Sequence, residues 1–221
     1  MKRKIIGLMG VKGCGKDTFA AVLVKQHGFV RIGFADELYR QVAQTYGVTV
    51  EFLGERTTKE TDLPQLALRN CKEPGFVQCV LETLGWDNTP ENLEKPLSPR
   101  TVLQLWGTEF RRLRGQDSYW LDIVAGALKA QPDRSFVVTD VRFPNEMTFM
   151  KDEGATLVRV RRPAQEEREA KERLQNGRAT HASETALADA KADVEVFNIE
   201  GQPEAMAENA NALVSAPLEF A

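Results

Sequence analysis

The sequence of 221 residues predicts an α/β fold in which helices flank a parallel central sheet on both faces. Short apolar runs alternate with segments of helical periodicity, an order typical of parallel strands joined by right-handed crossovers. A glycine-rich loop at 10–18 joins the first apolar run to the first helical segment, and a later apolar run, 135–140, ends in an acidic residue. Together these observations predict a single three-layer domain over residues 1–221.

Composition narrows the classes of function. A hydrophobic content of 42% suits one core, and a formal charge of −3 gives no general attraction to nucleic acid or to an anionic membrane. The apolar run near the N-terminus is too short for a signal peptide, and no segment is long enough to cross a bilayer. Cys14, Cys71 and Cys79 lack the spacing of metal ligands, which favours a reduced, cytoplasmic setting. We expect neither a nucleic-acid nor a membrane partner.

The first predicted elements surround the glycine-rich loop. Residues 4–9 read as a buried strand, and the helical spacing that follows the loop ends at His27 and Gly28. Side-chain polarity that alternates along residues 29–34 predicts a second strand. A helix over 35–46 opens near Asp36 and closes before a glycine.

The middle of the chain is less regular. From 47 to 99 the periodicity weakens and prolines recur, with one helix near 76–84, so we interpret this region as a helical substrate-side insertion. Helices are predicted at 100–114 and from 117 to about 128. The predicted buried stripe of the first of these consists of Val102, Leu105, Trp106, Phe110 and Leu113.

Strands and helices alternate again in the last part of the chain. Strands are predicted at 135–140, 155–160 and 194–199, with helices between 144 and 154 and from about 203 to 214. The charged segment 161–184 predicts either a lid that closes over phosphates or an exposed, salt-bridged helix. The basic candidates in such a lid are Arg161, Arg162, Arg168 and Arg173.

The loop itself has the spacing of a phosphate-binding loop. Its sequence is Gly10-Val11-Lys12-Gly13-Cys14-Gly15-Lys16-Asp17-Thr18. The glycines let backbone N–H groups approach phosphate oxygens, and the helix N-terminus adds positive potential. Lys16 is expected to contact the β- and γ-phosphates of a bound nucleotide as a catalytic cation. The predicted ATP-binding residues are Gly13, Cys14, Gly15, Lys16, Asp17 and Thr18.

One position departs from the common loop pattern. Asp17 stands where Ser or Thr usually holds Mg²⁺ through a hydroxyl, and Thr18 follows it. Three interpretations are open. Thr18 binds the ion through its hydroxyl, Asp17 binds it through a water molecule, or Asp17 only complements the helix dipole. We favour Thr18 and keep both as metal candidates.

Candidates for an acceptor site lie beyond the loop. Asp140 ends a strand of an open sheet, where such folds bind ligands, and it is either a metal-water ligand or an acceptor-binding acid. Arg142, two residues later, is expected to clamp a phosphate with its guanidinium fork. Arg56 and Arg100 are weaker candidates of the same kind, since a lone arginine is more often a surface residue. Lys12 contacts the acceptor's phosphate or only solvent.

Two residues are candidates for binding the acceptor's base. Thr108 is expected to form a hydrogen bond with it, and Trp120 to stack on it. Packing in the core is the alternative for both side chains.

The order of these motifs is similar to that in the deoxynucleoside monophosphate kinases of tailed bacteriophages. The matching segments are the loop, Phe34-Ala35-Asp36, Gln104 with Gly107-Thr108-Glu109, Trp120, 140–146 and His181-Ala182-Ser183-Glu184. The resemblance implies a P-loop kinase fold and transfer of the γ-phosphate of ATP, with Mg²⁺, to a deoxynucleoside monophosphate. It assigns catalysis to Lys16, Asp140 and Arg142. It implies an acceptor site of Lys12, Asp36, Arg56, Arg100, Gly107, Thr108, Trp120, Asp140, Arg142 and Glu146.

Two other functions stay open at this point. One is a P-loop kinase of another phosphorylated metabolite, and the other is a nucleotide-dependent switch, which would show no stimulation by any monophosphate. The sequence leaves open which bases are accepted, whether ribose is excluded, which lid arginine acts, and the oligomeric state, a homodimer included.

Overall fold

The structure, a computed structural model, describes residues 3–176, 186–200 and 202–215. The chain divides into two compact units, one formed by residues up to Gly33 and from Val124 onward, the other by Phe34–Ile123. The glycine-rich loop lies in the first unit. The predicted insertion, 47–99, lies in the second.

A five-stranded sheet forms the centre of the first unit. Its strands are β1 (Ile5–Met9), β2 (Val30–Ile32), β3 (Phe136–Val138), β4 (Thr156–Arg161) and β5 (Val194–Phe197). They lie in the order β2-β3-β1-β4-β5, and every pairing is parallel. β1 is therefore central, and the loop that follows it emerges in the middle of the sheet's carboxyl edge.

Helices cover the sheet and build the second unit. They are α1 (Lys16–His27), α2 (Phe34–Tyr46), α3 (Val50–Gly54), α4 (Pro74–Leu84), α5 (Pro90–Glu94), α6 (Pro99–Gln104), α7 (Tyr119–Ala130), α8 (Pro144–Asp152), α9 (Pro163–Asn176) and α10 (Pro203–Ser215). A π-helix, Leu105–Leu113, follows α6. None of the helices in the described ranges is both long and apolar enough to cross a membrane.

The first unit has helices on both faces of the sheet. Phe19 and Leu23 of α1 and Met206 of α10 pack in one cluster with side chains of β1, β3, β4 and β5. On the other face Met150 of α8 approaches Gly7, where an added Cβ would lie 3.2 Å from its Cε. These contacts confirm the predicted three-layer arrangement of a parallel sheet between helices.

An aromatic cluster forms part of the core of the second unit. The ring of Phe76 in α4 lies 4.7 Å from that of Trp106 and 5.7 Å from that of Phe110, measured between centroids. Trp106 and Phe110 are 5.2 Å apart at an angle of 67°. This edge-to-face packing fixes the π-helix against α4.

The helix predicted over 100–114 differs from the observed structure. It is α-helical only to Gln104, and Leu113, predicted on the buried stripe, is 76% exposed. Arg112, predicted outside that stripe, is only 9% exposed. A π-helix closes its hydrogen bonds from i to i+5, so its turns hold more residues and the α-helical spacing no longer predicts which side chain faces inward.

Candidate active site

The glycines of the loop adopt backbone conformations that other residues avoid. Gly10, Gly13 and Gly15 have φ angles of +136°, +74° and +108°. An added Cβ on Gly10 would lie 2.3 Å from the carbonyl oxygen of Val160, and one on Gly15 would lie 2.4 Å from Nδ2 of Asn198. At Gly10 the close atom belongs to the backbone of a strand, so only glycine fits there. At Gly15 the Asn198 side chain could shift, and it is the positive φ that favours glycine.

Lys16 begins α1 at the end of this loop. Its Nζ donates hydrogen bonds to the carbonyl oxygens of Gly10 (2.8 Å) and Val11 (2.9 Å). The ammonium is therefore held over the loop by neutral acceptors. The N–H groups of the first helical turn have no partners within a helix, so the loop and the helix N-terminus together present backbone donors and a positive charge, the features that favour an anion.

Asp17 and Thr18 lie in the first turn of α1, and both are exposed. A carboxylate and a hydroxyl are oxygen ligands of the kind that Mg²⁺ prefers. The described residues contain no cluster of three or more His, Cys, Asp or Glu that could hold a metal by itself. Mg²⁺ commonly takes one or two protein oxygens and completes its shell with phosphate and water, so these two side chains fit it.

Cys14 fills the space beneath the loop. Its side chain is fully buried, and burial raises the pKa of its thiol. Its Sγ lies 3.7 Å from Nζ of Lys16. The thiol is thus a small packing group, and the backbone of Cys14 is what the loop can offer to a phosphate.

Asn198 contacts the loop, although the sequence motifs do not include it. It directly follows β5, and its Nδ2 donates to the carbonyl oxygen of Cys14 at 2.9 Å. Its own backbone N–H donates to the carbonyl oxygen of Arg161 at 2.7 Å. The signal that could have found it is its place just after a parallel strand, where residues reach the ligand-binding edge of a sheet.

Gln165 of α9 is a second neighbour that the motifs do not include. A Cβ added to Gly13 would lie 3.4 Å from Cδ of Gln165, an ordinary contact distance for a side chain, so the Gln165 amide lies near the open side of this glycine. The N-terminal end of α9 therefore lies beside the loop.

Asp140, Arg142 and Glu146 lie in one short segment that follows β3. The backbone N–H of Val141 donates to the carbonyl oxygen of Leu8, which holds this segment against β1. Glu146 is 2% exposed, and its Oε2 accepts hydrogen bonds from the backbone N–H groups of Arg142 (2.7 Å) and Phe143 (3.1 Å). The Glu146 carboxylate thus fixes the backbone that carries Arg142, whose own side chain is exposed.

Helix α9 forms part of the segment predicted to be a lid. Arg161 pairs with Glu166 at 2.7 Å and with Glu195 at 3.6 Å, and the hydrogen bond from Arg161 lowers the pKa of Glu166. Arg162 lies 3.8 Å from Glu200, whereas Arg168 is exposed. The side chain of Arg173 and residues 177–184, with His181-Ala182-Ser183-Glu184, lie outside the described residues.

The second unit holds the other predicted acceptor residues. Trp120 is 3% exposed, and its Nε1 donates to the carbonyl oxygen of Gly107 at 3.0 Å in the π-helix, next to the half-buried Thr108. Asp36 and Arg56 are exposed. Arg100 pairs with Glu60. Gly107 and Trp120 are therefore in direct contact, and the Trp120 side chain is buried.

Comparisons with known proteins identify the family. A model of the deoxynucleotide monophosphate kinase family matches residues 78–207, more than half of the chain. The chain is 31% identical to a deoxynucleoside-5'-monophosphate kinase of Escherichia phage T5 over 180 residues, which cover 67% of this chain and 72% of the phage protein. The chain belongs to the deoxynucleotide monophosphate kinase family. A putative deoxynucleotide monophosphate kinase of Acanthamoeba polyphaga mimivirus is 30% identical over 160 residues, covering 72% of this chain and 74% of that protein.

One solved structure also resembles the kinase. It is the dephospho-CoA kinase from Campylobacter jejuni, which is 13% identical, covers 96% of both chains and gives a TM-score of 0.46. Family membership confirms the predicted resemblance and makes the chain a nucleotide-phosphorylating enzyme. The roles of the individual residues stay predictions.

Proposed function

We propose that this kinase transfers the γ-phosphoryl group of ATP to the phosphate of a deoxynucleoside monophosphate, giving ADP and a deoxynucleoside diphosphate. An acceptor phosphate oxygen attacks the γ-phosphorus, and the bond from that phosphorus to the β,γ-bridging oxygen breaks. The observation that carries the proposal is the loop with Lys16 held over it, in a chain of this family. Such a reaction requires positioning and charge stabilisation more than covalent chemistry, and the site residues offer both.

ATP binds with its phosphates in the loop. Backbone N–H groups from Gly13 to Thr18 donate to phosphate oxygens, and the Lys16 ammonium exchanges its neutral carbonyl partners for the β- and γ-phosphates. That exchange is favourable because hydrogen bonds to an anionic acceptor are stronger than those to a neutral one. Lys16 then stabilises charge as it moves onto the leaving oxygen.

The Thr18 hydroxyl would hold Mg²⁺, with Asp17 as the alternative ligand. Bound there, the ion would supply positive charge that offsets the negative charge of the phosphates. Both side chains are exposed on the first turn of α1, directly after Lys16, so either reaches a group at the mouth of the loop.

The acceptor's phosphate is bound by Arg142, with Asp140 orienting that side chain. Glu146 serves this site through the backbone, since its carboxylate accepts from the N–H of Arg142. Lys12, exposed within the loop, adds a cation for the same phosphate.

The second unit supplies further acceptor contacts. Thr108 offers its hydroxyl to the base, and Trp120 holds Gly107 in place through its Nε1. Asp36, Arg56 and Arg100 complete the acceptor residues. Among the lid arginines whose side chains the structure describes, Arg161 and Arg162 lie near Glu166 and Glu200, so we assign the lid role to Arg168, which is exposed on α9. The reaction takes place in the cytoplasm, where ATP and free deoxynucleotides occur together.

A screen of ADP formation tests the proposal. The wild-type protein is assayed with ATP, Mg²⁺ and each common deoxy- or ribonucleoside monophosphate, beside Lys16→Ala and the control Lys25→Ala. Lys25 is an exposed lysine in the last turn of the same helix. We expect stimulation by at least one deoxynucleoside monophosphate and a loss in kcat of roughly 10²-fold or more for Lys16→Ala.

The control separates chemistry from folding. Lys25→Ala should keep wild-type turnover, and both variants should keep the wild-type melting temperature within a few degrees. Near-normal turnover by folded Lys16→Ala would remove the loop assignment. An absence of stimulation by every monophosphate would refute the proposed acceptor class and favour a nucleotide switch or another acceptor.

A further inference from the structure

Arg111 lies in a cage of aromatic rings inside the second unit. Its guanidinium carbon is 4.7 Å from the ring centroid of Phe110, and 5.2 Å from those of Trp106 and Tyr119. Trp106 and Arg111 are five positions apart in the π-helix, the spacing at which i→i+5 geometry brings successive turns together. The π-helix thus places this cation against the rings.

Gln41 of α2 fixes the orientation of the cage. Its Oε1 accepts hydrogen bonds from Nε of Arg111 (3.2 Å) and from Nε1 of Trp106 (3.1 Å). Its Nε2 donates to the hydroxyl of Tyr119 (2.7 Å) and to Oε1 of Glu37 (3.0 Å). The amide therefore uses its full hydrogen-bonding capacity, and the guanidinium is held through Nε.

The charge of Arg111 is not neutralised within the described part of the chain. No carboxylate there lies within 4.0 Å of its guanidinium, and Glu37 already pairs with Arg40. By contrast, most arginines of the second unit have a carboxylate partner: Arg40, Arg69, Arg100, Arg112 and Arg114. Arg56, which has none, is exposed, whereas Arg111 is partly buried. A partly buried cation without a counter-charge is costly, and an anion that binds it recovers that cost.

The cage is continuous with residues of the proposed acceptor site. Gly107 and Thr108 are in the same π-helix, and the ring of Tyr119 lies 4.8 Å from that of Trp120, edge-on. The bases of nucleoside monophosphates are neutral at pH 7, so the phosphate is the anionic group of such a ligand. The two Nη atoms of Arg111 make no hydrogen bond to any described residue.

We infer that Arg111 binds the phosphate of the acceptor nucleotide through its two Nη atoms, and that Gln41 is the positioning residue that aims it. This inference rests on the proposed function. The rings and the amide order the guanidinium before the ligand arrives, so little side-chain entropy is lost on binding. Arg111 is then a binding residue common to all acceptors, independent of the base.

The test compares Arg111→Met, Arg111→Lys and Gln41→Met with Arg114→Met. Arg114 is the matched control, since it caps the same π-helix and forms a surface ion pair with Glu82. Each protein is assayed for KM and kcat with every accepted monophosphate, for KM of ATP, and for its melting temperature. Arg111→Met should raise the KM of every monophosphate by a similar factor, roughly 10- to 100-fold, because it removes a charge-assisted pair.

The other variants sharpen the expectation. Arg111→Lys keeps the charge but loses the planar guanidinium, so it should raise the KM of the monophosphates by less than Arg111→Met does. Gln41→Met keeps Arg111 but removes the hydrogen bond to its Nε, so it should also give an intermediate rise in KM. The KM of ATP should stay within about twofold of wild type in all of them, as should every constant of Arg114→Met. A structural role alone would lower the melting temperature without this selective change in KM.

Two results would overturn the inference. One is a folded Arg111→Met whose KM for every monophosphate is unchanged, and the other is a rise confined to one base, which would place Arg111 at the base edge. Titration of inorganic phosphate, followed by tryptophan fluorescence, keeps the test independent of turnover. Wild type should bind phosphate more tightly than Arg111→Met, whether or not any monophosphate is a substrate. If no monophosphate is a substrate but this difference in phosphate affinity is found, the proposed function fails and the Arg111 site stands. Equal phosphate affinities refute the site.

Discussion

Replacement of Gly10 with alanine is expected to disrupt the phosphate-binding loop. The residue has a φ of +136°, and its new Cβ would lie 2.3 Å from the carbonyl oxygen of Val160 and 3.0 Å from Sγ of Cys14. Val160 belongs to β4, which pairs with both β1 and β5, so its carbonyl cannot move without disturbing the sheet. The loop must therefore move instead.

Gly28 supplies the matched control. It caps the C-terminus of α1 with a φ of +68°, and an added Cβ there meets nothing within 4 Å. Alanine at Gly28 carries only the backbone strain, about 1 kcal/mol. Alanine at Gly10 carries strain of about 1–3 kcal/mol and a comparable overpacking cost, in all about 3 kcal/mol or more.

Urea denaturation and ATP titration measure the two effects. With an m-value of about 3 kcal/mol/M, the urea midpoint should fall by about 0.3 M for Gly28→Ala and by about 1 M or more for Gly10→Ala. Gly10→Ala should also weaken ATP binding at least tenfold in calorimetry, whereas Gly28→Ala should not. If Gly10→Ala is no less stable than Gly28→Ala and binds ATP normally, the close approach of the loop to β4 is not what requires glycine.

Three further outcomes are expected. Thr18→Ala should raise the Mg²⁺ concentration needed for half-maximal activity more than Asp17→Asn does, and the reverse order in a metal titration would make Asp17 the ligand. Arg142→Lys keeps the charge but loses the fork, so calorimetry should show weaker binding of the monophosphate and nearly unchanged binding of ATP; weaker ATP binding alone would place Arg142 in the donor site. The Arg161 hydrogen bond lowers the pKa of Glu166, so the stabilisation from this pair is present above the ordinary glutamate pKa of 4.5 and is lost as the pH falls through the lowered value. In Glu166→Gln the unfolding free energy should accordingly fall less steeply below about pH 4.5. Urea denaturation at a series of pH values measures this, and an equal dependence of unfolding free energy on pH in both proteins would contradict it.

The fold could be predicted because its signals are local and repeated. The apolar run that becomes β1, the glycines around Cys14 and the strands near 136, 156 and 194 each follow from a few adjacent residues. Boundaries depend on more than adjacent residues. Phe34, predicted as the last residue of a strand, begins α2, and β2 spans only Val30–Ile32.

The π-helix could not be predicted from spacing. Trp106, Phe110 and Leu113 fit an α-helical stripe, and the change of hydrogen-bond pattern after Gln104 depends on packing of Trp106 and Phe110 against Phe76, which is distant in sequence. Tertiary contacts decide the local geometry here, and the exposure of Leu113 follows from them.

The candidate site was predictable where a motif is contiguous. Residues 10–18 and 140–146 are such segments, and the structure gives each a defined conformation. Asn198 contacts the loop across most of the length of the chain, and Gln41 joins α2 to the π-helix. A contact between single polar residues at that separation leaves no pattern in one sequence.

The register of the sheet has a consequence for the synthesis of the chain. In the part of the chain that the structure describes, β1 pairs with β3 and β4, so Ile5 must wait for Phe136 and Ile6 for Thr156, which are synthesised after residues 34–123. At translation rates of about 5–20 residues per second, the apolar segment that becomes β1 has no partner strand for on the order of ten seconds. We expect the nascent chain to need protection of this segment during that time, and the phosphate-binding loop to form only after most of the polypeptide has left the ribosome.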